Sequence, residues 1–174
     1  MRPAARRTVG TACVALVAAG WGGACAAQLI RVADSVVDPA ALIMTSSATY
    51  GRAINGAAFQ VDAIKTFGGY QYTAWYTNDA NASVMFARRA VSGTSIGPWD
   101  AVNTGSRFTN GKGGADAHNV ISFGIAADGS IHMAWDMHGN NLRYRRTAPG
   151  VTTTGTGWGG SMFQAEQAFL MPGE

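Results

Sequence analysis

Residues 59–89, FQVDAIKTFGGYQYTAWYTNDANASVMFARR, are echoed further along the chain by residues 119–146, NVISFGIAADGSIHMAWDMHGNNLRYRR. Both stretches contain, in the same order, a strand-like segment, a hairpin turn with glycine (Gly68-Gly69 and Asp128-Gly129), an aromatic strand, a polar turn and a third strand that ends in Arg-Arg. Trp75 and Trp135 are sixty residues apart, whereas the arginine pairs are fifty-seven apart. The echo indicates an internal repeat whose second copy has three residues fewer in its second hairpin turn.

The segments that follow the two copies predict the remainder of each repeat. A fourth strand is expected in residues 97–105, GPWDAVNTG, and in residues 157–164, GWGGSMFQ. Four antiparallel strands at a period of about fifty to sixty residues are typical of a β-propeller blade. We therefore predict an all-β fold of about two four-stranded antiparallel blades, with a β-sandwich as the alternative. Because a closed propeller has at least four blades, we expect a truncated part of one.

The first 27 residues have the three parts of an export signal. Arg2, Arg6 and Arg7 form a basic region, VGTACVALVAAGWGG is the apolar region, and ACAA supplies small residues for cleavage before Gln28. A membrane span is the competing interpretation, but the apolar run is short, rich in Gly and Ala, and without a stop-transfer cluster. The sequence predicts a signal peptide over residues 1–27, a partial propeller domain over residues 28–174, and a secreted or periplasmic location.

Removal of this signal changes the composition of the chain. Both cysteines, Cys13 and Cys25, lie inside it, so the mature protein is expected to have no disulfide and no cysteine metal site. The 13 Lys and Arg residues fall to ten, which balance the 10 Asp and Glu residues. The mature chain therefore has no net charge to favour nucleic acid as a partner, and no membrane association is expected once the signal is removed.

All three histidines, His118, His132 and His138, lie within twenty-one positions around the turn Asp128-Gly129. A two-residue turn there would pair residues whose numbers add up to 257, and the numbers 118 and 138 add up to 256. His118 and His138 are thus expected to be nearly opposite each other on neighbouring strands, with Cβ atoms about 5 Å apart. Such a pair can address one group of a small molecule together.

The first repeat serves as an internal control for this pair. A shift of sixty residues places Ala58 at the position of His118 and Asn78 at the position of His138. A blade can therefore be built without the two histidines, which favours a grafted site over two satisfied polar residues at a strand end.

His132 is predicted to have another role. The same shift places Tyr72 at its position, so a packed aromatic equivalent of Tyr72 is the favoured interpretation. The other two histidines, with Asp116 or Asp136, make a His-His-Asp metal site the lower-ranked alternative to acid-base work, because their spacing matches no strong metal signature. No metal ligands and no cofactor are predicted.

The motifs DAHN at residues 116–119, DMHG at residues 136–139 and the intervening DGSIH turn resemble the BNR-4 repeat family. The resemblance covers about residues 46–163 and is to the N-terminal blades of this family, whose characterised members include the ulvan lyases of polysaccharide lyase families 24 and 25. It implies a seven-bladed propeller that cleaves acidic algal polysaccharide by β-elimination at a uronic acid, with His118 and His138 as the two active-site histidines. The family also uses a tyrosine and an arginine from later blades, so this chain alone is not expected to be active.

The chemistry of β-elimination suits these residues. A base takes the proton next to a carboxylate, an acid protonates the departing glycosidic oxygen, and a cation or hydrogen-bond donors lower the charge on the carboxylate. Histidine can fill each of these roles near neutral pH. Asn119 and Gln60 are the predicted substrate-binding donors beside the pair. The arginine pairs at 88–89 and 145–146 are interpreted as solvated positions of the third strands, with anion binding as the alternative.

Two other functions remain as alternatives. The first is a carbohydrate-binding propeller without catalysis, in which Trp75, Tyr76 and Trp135 stack on sugars. The second is a sialidase-like glycoside hydrolase, suggested by DGSIHMAW at residues 128–135, which has part of an Asp-box. An Asp-box is a turn motif that carries no chemistry itself. In all three cases the expected partner is an acidic polysaccharide or another glycan.

Overall fold

The first sheet begins at the Gly68-Gly69 turn that the sequence predicts. In the computed structural model, which describes residues 31–42, 64–109, 119–139 and 141–168, strand β1 (Lys65–Phe67) pairs antiparallel with β2 (Tyr70–Tyr76). Both glycines of the turn have positive φ, 56° and 79°. A two-residue hairpin turn with both residues in this region requires glycine or a similarly permissive residue. The first predicted hairpin is confirmed.

Three further strands complete the first sheet. Strand β3 (Ser83–Ser92) pairs with β2 along one edge and with β5 (Asp100–Arg107) along the other, and the short β4 (Ser95–Ile96) folds back onto the end of β3. All pairings are antiparallel, and the strand order is β1-β2-β3-β5 with β4 as an addition. The predicted fourth strand therefore exists, although it begins at Asp100 and extends to Arg107.

The second sheet repeats this order. Strands β6 (Ser122–Ile125), β7 (Ile131–Ala134) and β8 (Tyr144–Arg146) are antiparallel neighbours. On the free edge of β8, single bridges join Thr147 to Phe163 and Tyr144 to Gln167. The described part of the chain is thus all-β with antiparallel sheets, apart from the four-residue helix α1 (Val151–Thr154) and a 3-10 turn at Gly160–Met162.

The predicted fourth strand at residues 157–164 is wrong in most of its length. Gly155 and Gly157 have φ of 68° and 79°, which an extended strand does not allow, and the 3-10 turn follows them. Within the predicted segment, Phe163 forms a single bridge with Thr147, directly after β8, and Gln167 supplies the second bridge, with Tyr144. The sheet edge is therefore built by two separate contacts instead of a continuous ladder.

The second hairpin has a longer turn than the sequence suggests. Strands β6 and β7 pair Ile125 with Ile131 and Ser122 with Ala134, so paired numbers add up to 256 instead of the predicted 257. The turn is a three-residue loop that ends at Gly129, whose φ of 79° is the left-handed position typical of such loops. The Asp128 carboxylate accepts hydrogen bonds from the backbone N–H and the hydroxyl of Ser130, which stabilises the extra residue.

The pairing of β7 with β8 shifts the alignment of the two repeats by one position along β7. Tyr72 lies opposite Arg88 in the first sheet, and Met133 lies opposite Arg145 in the second. Tyr72 therefore corresponds to Met133, sixty-one residues later, and the predicted equivalence of His132 with Tyr72 is wrong. His132 points to the opposite face of its sheet because side chains alternate along a strand.

The two echoed tryptophans consequently have different surroundings. Trp75 lies on the face of β2 opposite to Tyr72, and its indole N–H donates to the carboxylate of Asp38 at 2.7 Å. Trp135 belongs to the apolar core between the sheets, and its indole N–H donates to the carbonyl of Arg107 at 3.1 Å. The shared spacing of sixty residues does not reflect a shared structural position.

The core forms where one face of the first sheet packs on one face of the second. Phe86 of β3 lies near its centre, with ring centroids 5.0 Å from Phe123, 5.8 Å from Phe163 and 6.1 Å from Trp158. Apolar burial of this kind is the main favourable contribution to folding. The largest fully buried apolar side chains are Trp135, Tyr72, Tyr76, Phe86, Phe108, Ile131, Met133 and Val84.

Gly129 is expected to tolerate no side chain. A Cβ atom there would lie 2.9 Å from the Thr152 hydroxyl oxygen and 3.0 Å from the Thr153 methyl carbon, and φ is +79°. We expect Gly129→Ala to lower the free energy of unfolding by about 2–3 kcal/mol, measured by urea denaturation. Gly93→Ala is the matched control, because Gly93 has a φ of +57° and a Cβ atom there would have no neighbouring atom within 4 Å. That control is expected to cost only about 1 kcal/mol, and equal losses in the two variants would contradict the steric explanation.

Candidate functional site

His138 lies beyond the end of β7, on the loop that leads to β8. Its side chain is exposed, and its backbone N–H donates to the side-chain oxygen of Asn119 at 2.5 Å. The backbone carbonyl of Asn119 in turn accepts a hydrogen bond of 2.8 Å from the hydroxyl of Tyr76 in the first sheet. Asn119 thus connects the segment before β6, the β7–β8 loop (residues 135–143) and the core of the first sheet at one end of the hairpin.

The other predicted site residues have different outcomes. His118 and Gln60 lie outside the described residues, so the approach of His118 to His138 and the contribution of Gln60 stay predictions. Asn119 is buried, and its side-chain oxygen is used to hold the backbone of His138. This contact gives Asn119 a local structural role, and its proposed role as a substrate donor stays a prediction.

His132 is part of a separate hydrogen-bonded chain. One ring nitrogen, Nδ1, lies 2.5 Å from the hydroxyl of Tyr144, and Nε2 lies 3.0 Å from the hydroxyl of Ser130. The Ser130 hydroxyl also donates to the carboxylate of Asp128. Because the Ser130 oxygen uses its proton on Asp128, it accepts from Nε2–H, and Nδ1 accepts from the Tyr144 hydroxyl. His132 is therefore a hydrogen-bonded residue near the hairpin turn, away from His138.

A buried carboxylate anchors the β7–β8 loop. Asp136 is only 1% exposed and has a φ of 52°, a left-handed conformation that aspartate adopts more readily than most residues. Its carboxylate accepts a 2.7 Å hydrogen bond from the backbone N–H of Thr109 and forms a 3.2 Å salt bridge with Arg143. Arg143 also binds Glu166 at 2.8 Å. The two ends of the loop that carries His138 are therefore held to each other.

Electrostatic interactions support this arrangement. The hydrogen bond to Glu166 raises the pKa of Arg143 above its ordinary value, and its interactions with Asp136 add to this effect. Burial raises the pKa of Tyr76 far above its usual range, and the nearby Asp136 charge adds to the shift. Tyr76 therefore remains a protonated donor to the Asn119 carbonyl. The DMHG motif draws attention to Asp136, but no sequence signal indicates that Arg143 and Glu166 join it.

An open pocket of about 430 Å³ lies beside this anchor. Its lining is mostly polar and comes from the end of β5, the β7–β8 loop and the segment after the 3-10 turn. The residues are Arg107, Thr109, Asn141, Leu142, Arg143, Glu166 and Ala168. Arg143 and Asn141 belong to the same loop as His138, so the pocket and the histidine are connected through one short segment.

Two of the four predicted solvated arginines have structural roles. Arg145 donates to the backbone carbonyls of Thr104, Phe163 and Gln164, which joins the second sheet to β5. Arg88 stacks on the ring of Trp158, with its guanidinium carbon 4.2 Å from the ring centroid. The prediction that these side chains are solvated is wrong for Arg88 and Arg145, because their aliphatic and guanidinium parts are covered by the neighbouring strand and loop.

Residues 31–42, 64–109, 119–139 and 141–168 contain no group of three or more His, Cys, Asp or Glu side chains that could hold a metal ion. Asp116 and His118 of the alternative metal site lie outside them. None of the helices in these ranges has the length and apolar character needed to cross a membrane.

Comparison with known protein families identifies the family to which the repeats belong. A family described as "BNR repeat-containing family member" matches residues 70–173, more than half of the chain. The chain belongs to this family. The matched residues of this BNR repeat protein include both sheets apart from β1, the β7–β8 loop, the Asp136 anchor and the pocket. Comparison with curated proteins gives no match.

Membership of the BNR repeat family suggests a carbohydrate-active protein of the BNR, Asp-box kind. In this BNR repeat protein, the Asp-box-like turn is a structural element. Asp128 accepts from the N–H and hydroxyl of Ser130, and these two hydrogen bonds lower the pKa of the Asp128 carboxyl. The aspartate is therefore ionised and committed to the turn, as the sequence predicts for a motif without chemistry of its own.

Proposed function

We propose that this BNR repeat protein is a secreted polysaccharide lyase, or the part of one that carries its histidine pair, and that it cleaves a uronic-acid polysaccharide by β-elimination. The observation that carries the proposal is the placement of His138. Its ring is exposed, while its backbone is fixed by the buried Asn119 and its loop is closed by the Asp136–Arg143 salt bridge. A proton-transfer group needs this combination of access and fixed position.

The two sheets fit neighbouring blades of a propeller. They have the same strand order and pack face to face through an aromatic core, and blades of a propeller are arranged in this way around a central channel. We propose a seven-bladed closed form for the complete assembly. In that form the end of the second hairpin would carry His118 and His138 together.

The proposed reaction divides the work between the two histidines. One takes the proton from the carbon next to the uronic carboxylate, a double bond forms between that carbon and its neighbour, and the bond to the glycosidic oxygen breaks. The other histidine gives a proton to the departing oxygen or neutralises the carboxylate. Histidine suits both roles because its charge changes near neutral pH.

The aromatic residues that suggested a carbohydrate-binding propeller without catalysis are not accessible to a sugar. Trp75 is 7% exposed, and Tyr76 and Trp135 are fully buried, so none of them offers a ring face on which a sugar can stack. The Asp-box-like turn that suggested a glycoside hydrolase is occupied by its own hydrogen bonds. Elimination is therefore the reaction that we propose.

Product analysis tests this proposal. The full-length gene product is incubated with a uronic-acid polysaccharide, and the ultraviolet absorbance of the unsaturated sugar end is followed together with reducing ends. We expect both signals to rise together, because elimination produces one unsaturated end for each cleavage. Reducing ends without ultraviolet absorbance would indicate hydrolysis, and the absence of both signals would contradict the lyase proposal.

A further inference from the structure

Arg107 is a cation at the edge of the pocket, and its side chain is exposed. Its backbone carbonyl accepts hydrogen bonds from the Trp135 indole at 3.1 Å and from Arg143 at 3.0 Å, which fixes its position at the end of β5. Its side chain is exposed, and among the described residues its guanidinium makes no hydrogen bond or ion pair. A fixed backbone with an unengaged guanidinium is suited to binding a planar anion such as a carboxylate.

The second arginine of the pocket is already paired with two carboxylates. Arg143 uses Nε and Nη2 on the carboxylate of Glu166, and it uses Nη1 on Asp136, Thr109 and the Arg107 carbonyl. It therefore shapes the pocket wall, and its charge is balanced by Glu166 and Asp136. The uncommitted positive charge of the pocket belongs to Arg107.

The remaining lining favours a singly charged, hydroxyl-rich ligand. Thr109, Asn141 and Glu166 are exposed polar residues that can donate to or accept from sugar hydroxyls. Glu166 would repel a ligand with several negative charges, such as a phosphate, since only Arg107 would balance the charge of that ligand. The volume of about 430 Å³ lies within the range of about 300–1,000 Å³ that is usual for small-molecule sites.

We propose that this pocket is a sugar-binding subsite that holds a uronic acid residue, with Arg107 as the partner of its carboxylate. The proposal extends the proposed lyase function, because the pocket lies next to His138. Asn141 of the pocket lining is three positions after His138, so their Cα atoms lie within about 11 Å of each other. The subsite would hold a sugar near the bond that is cleaved and would align the polysaccharide chain.

Binding of a defined oligosaccharide tests the subsite without any catalysis. The probe is the tetramer of galacturonic acid, and its fully methyl-esterified form is the matched uncharged ligand. Calorimetry is carried out with the full-length gene product and with the Arg107→Ala variant. The control is Arg146→Ala, which removes an exposed arginine of β8 that does not line the pocket.

We expect Arg107→Ala to weaken binding of the charged tetramer about tenfold, because one charge-assisted contact is lost. Arg146→Ala should change it less than twofold, and the ester should bind the wild type and Arg107→Ala equally. An unchanged affinity in Arg107→Ala, an equal loss in Arg146→Ala or no binding of the charged tetramer to the wild type would overturn the subsite. Unfolding curves are expected to be the same for all three proteins, since both side chains are exposed.

The outcomes separate this inference from the lyase proposal. Arg107-dependent binding without an unsaturated product would support the subsite and contradict the lyase. Elimination that is unaffected by Arg107→Ala, with unchanged affinity, would support the lyase and contradict the subsite.

Discussion

Phe86→Ala is expected to lower the free energy of unfolding by about 4 kcal/mol, which is a large part of the total stability of a domain of this size. Phe86 is fully buried, and its ring packs edge-on against Phe123 and Phe163 from the second sheet. Truncation removes these contacts and leaves a cavity between two sheets that cannot close together without moving both. The change is measured by urea denaturation with a fluorescence signal and a circular dichroism signal.

Two control variants test whether the lower free energy of unfolding comes from the packing of the Phe86 ring. Phe86→Leu keeps most of the volume and should cost much less, about 1–2 kcal/mol, so it gives a measurable curve even where Phe86→Ala does not fold. Met137→Ala removes an apolar side chain that is 42% exposed, and we expect a change within about 0.5 kcal/mol. If Phe86→Ala unfolded at the same urea concentration as Met137→Ala, the described packing of the two sheets would be wrong.

The parts of the architecture that the sequence predicted are those determined by residues adjacent in the chain, such as hairpin turns. The Gly68-Gly69 turn determines its own hairpin, because both positions need positive φ, and the pairing of Lys65–Phe67 with Tyr70–Tyr76 follows from it. The second turn was harder to predict. Asp128-Gly129 fits a two-residue turn equally well. The three-residue loop is held by the hydrogen bonds of the Asp128 side chain with Ser130 and by those that Gly150 and Thr152 donate to the loop carbonyls, which the local sequence does not reveal.

A shift of one position along β7 explains most of the errors in the sequence alignment of the repeats. Side chains alternate between the two faces of a strand, so a shift by one position exchanges the buried and the outward residues. Trp135 is therefore in the core while Trp75 faces Asp38, and His132 bonds to Tyr144 instead of packing as an aromatic residue. An alignment of identical residues cannot detect such a shift.

The anchor around Asp136 could not be predicted because its partners are distant in sequence. Thr109 precedes Asp136 by 27 residues, and Glu166 follows Arg143 by 23. Nothing in the local pattern links these positions, and only the packing of the two sheets brings them together. His138 could be singled out because histidine is rare in this chain and stands in a recognisable motif, whereas arginine and glutamate are common on any surface.

The Asp136 anchor fixes the position of the loop that carries His138. Because Asp136 binds both Thr109 and Arg143, the start and the end of the β7–β8 loop are tied to the first sheet, and Asn119 holds the backbone of His138 between them. The Asn119 contact uses the backbone N–H of His138, and the histidine ring is exposed. Replacement of the ring should therefore affect chemistry far more than folding, which makes His138 a suitable position at which to test catalysis.

His138→Ala is expected to reduce the rate of elimination at least a hundredfold, because the variant loses a group that takes or gives a proton in the reaction. The rate is measured on the full-length gene product as the growth of ultraviolet absorbance from a uronic-acid polysaccharide. The free energy of unfolding should change by less than about 0.5 kcal/mol, since the side chain is exposed and the Asn119 contact uses the backbone N–H.

His132→Gln is the matched control for this prediction. Gln71 occupies the corresponding position in the first sheet, where it lies opposite Arg89 as His132 lies opposite Arg146. That control should keep a rate within a few-fold of the wild type, because His132 lies near the hairpin turn with its own partners. A near-normal rate in His138→Ala, or an equal loss in both variants, would remove His138 from the proposed reaction.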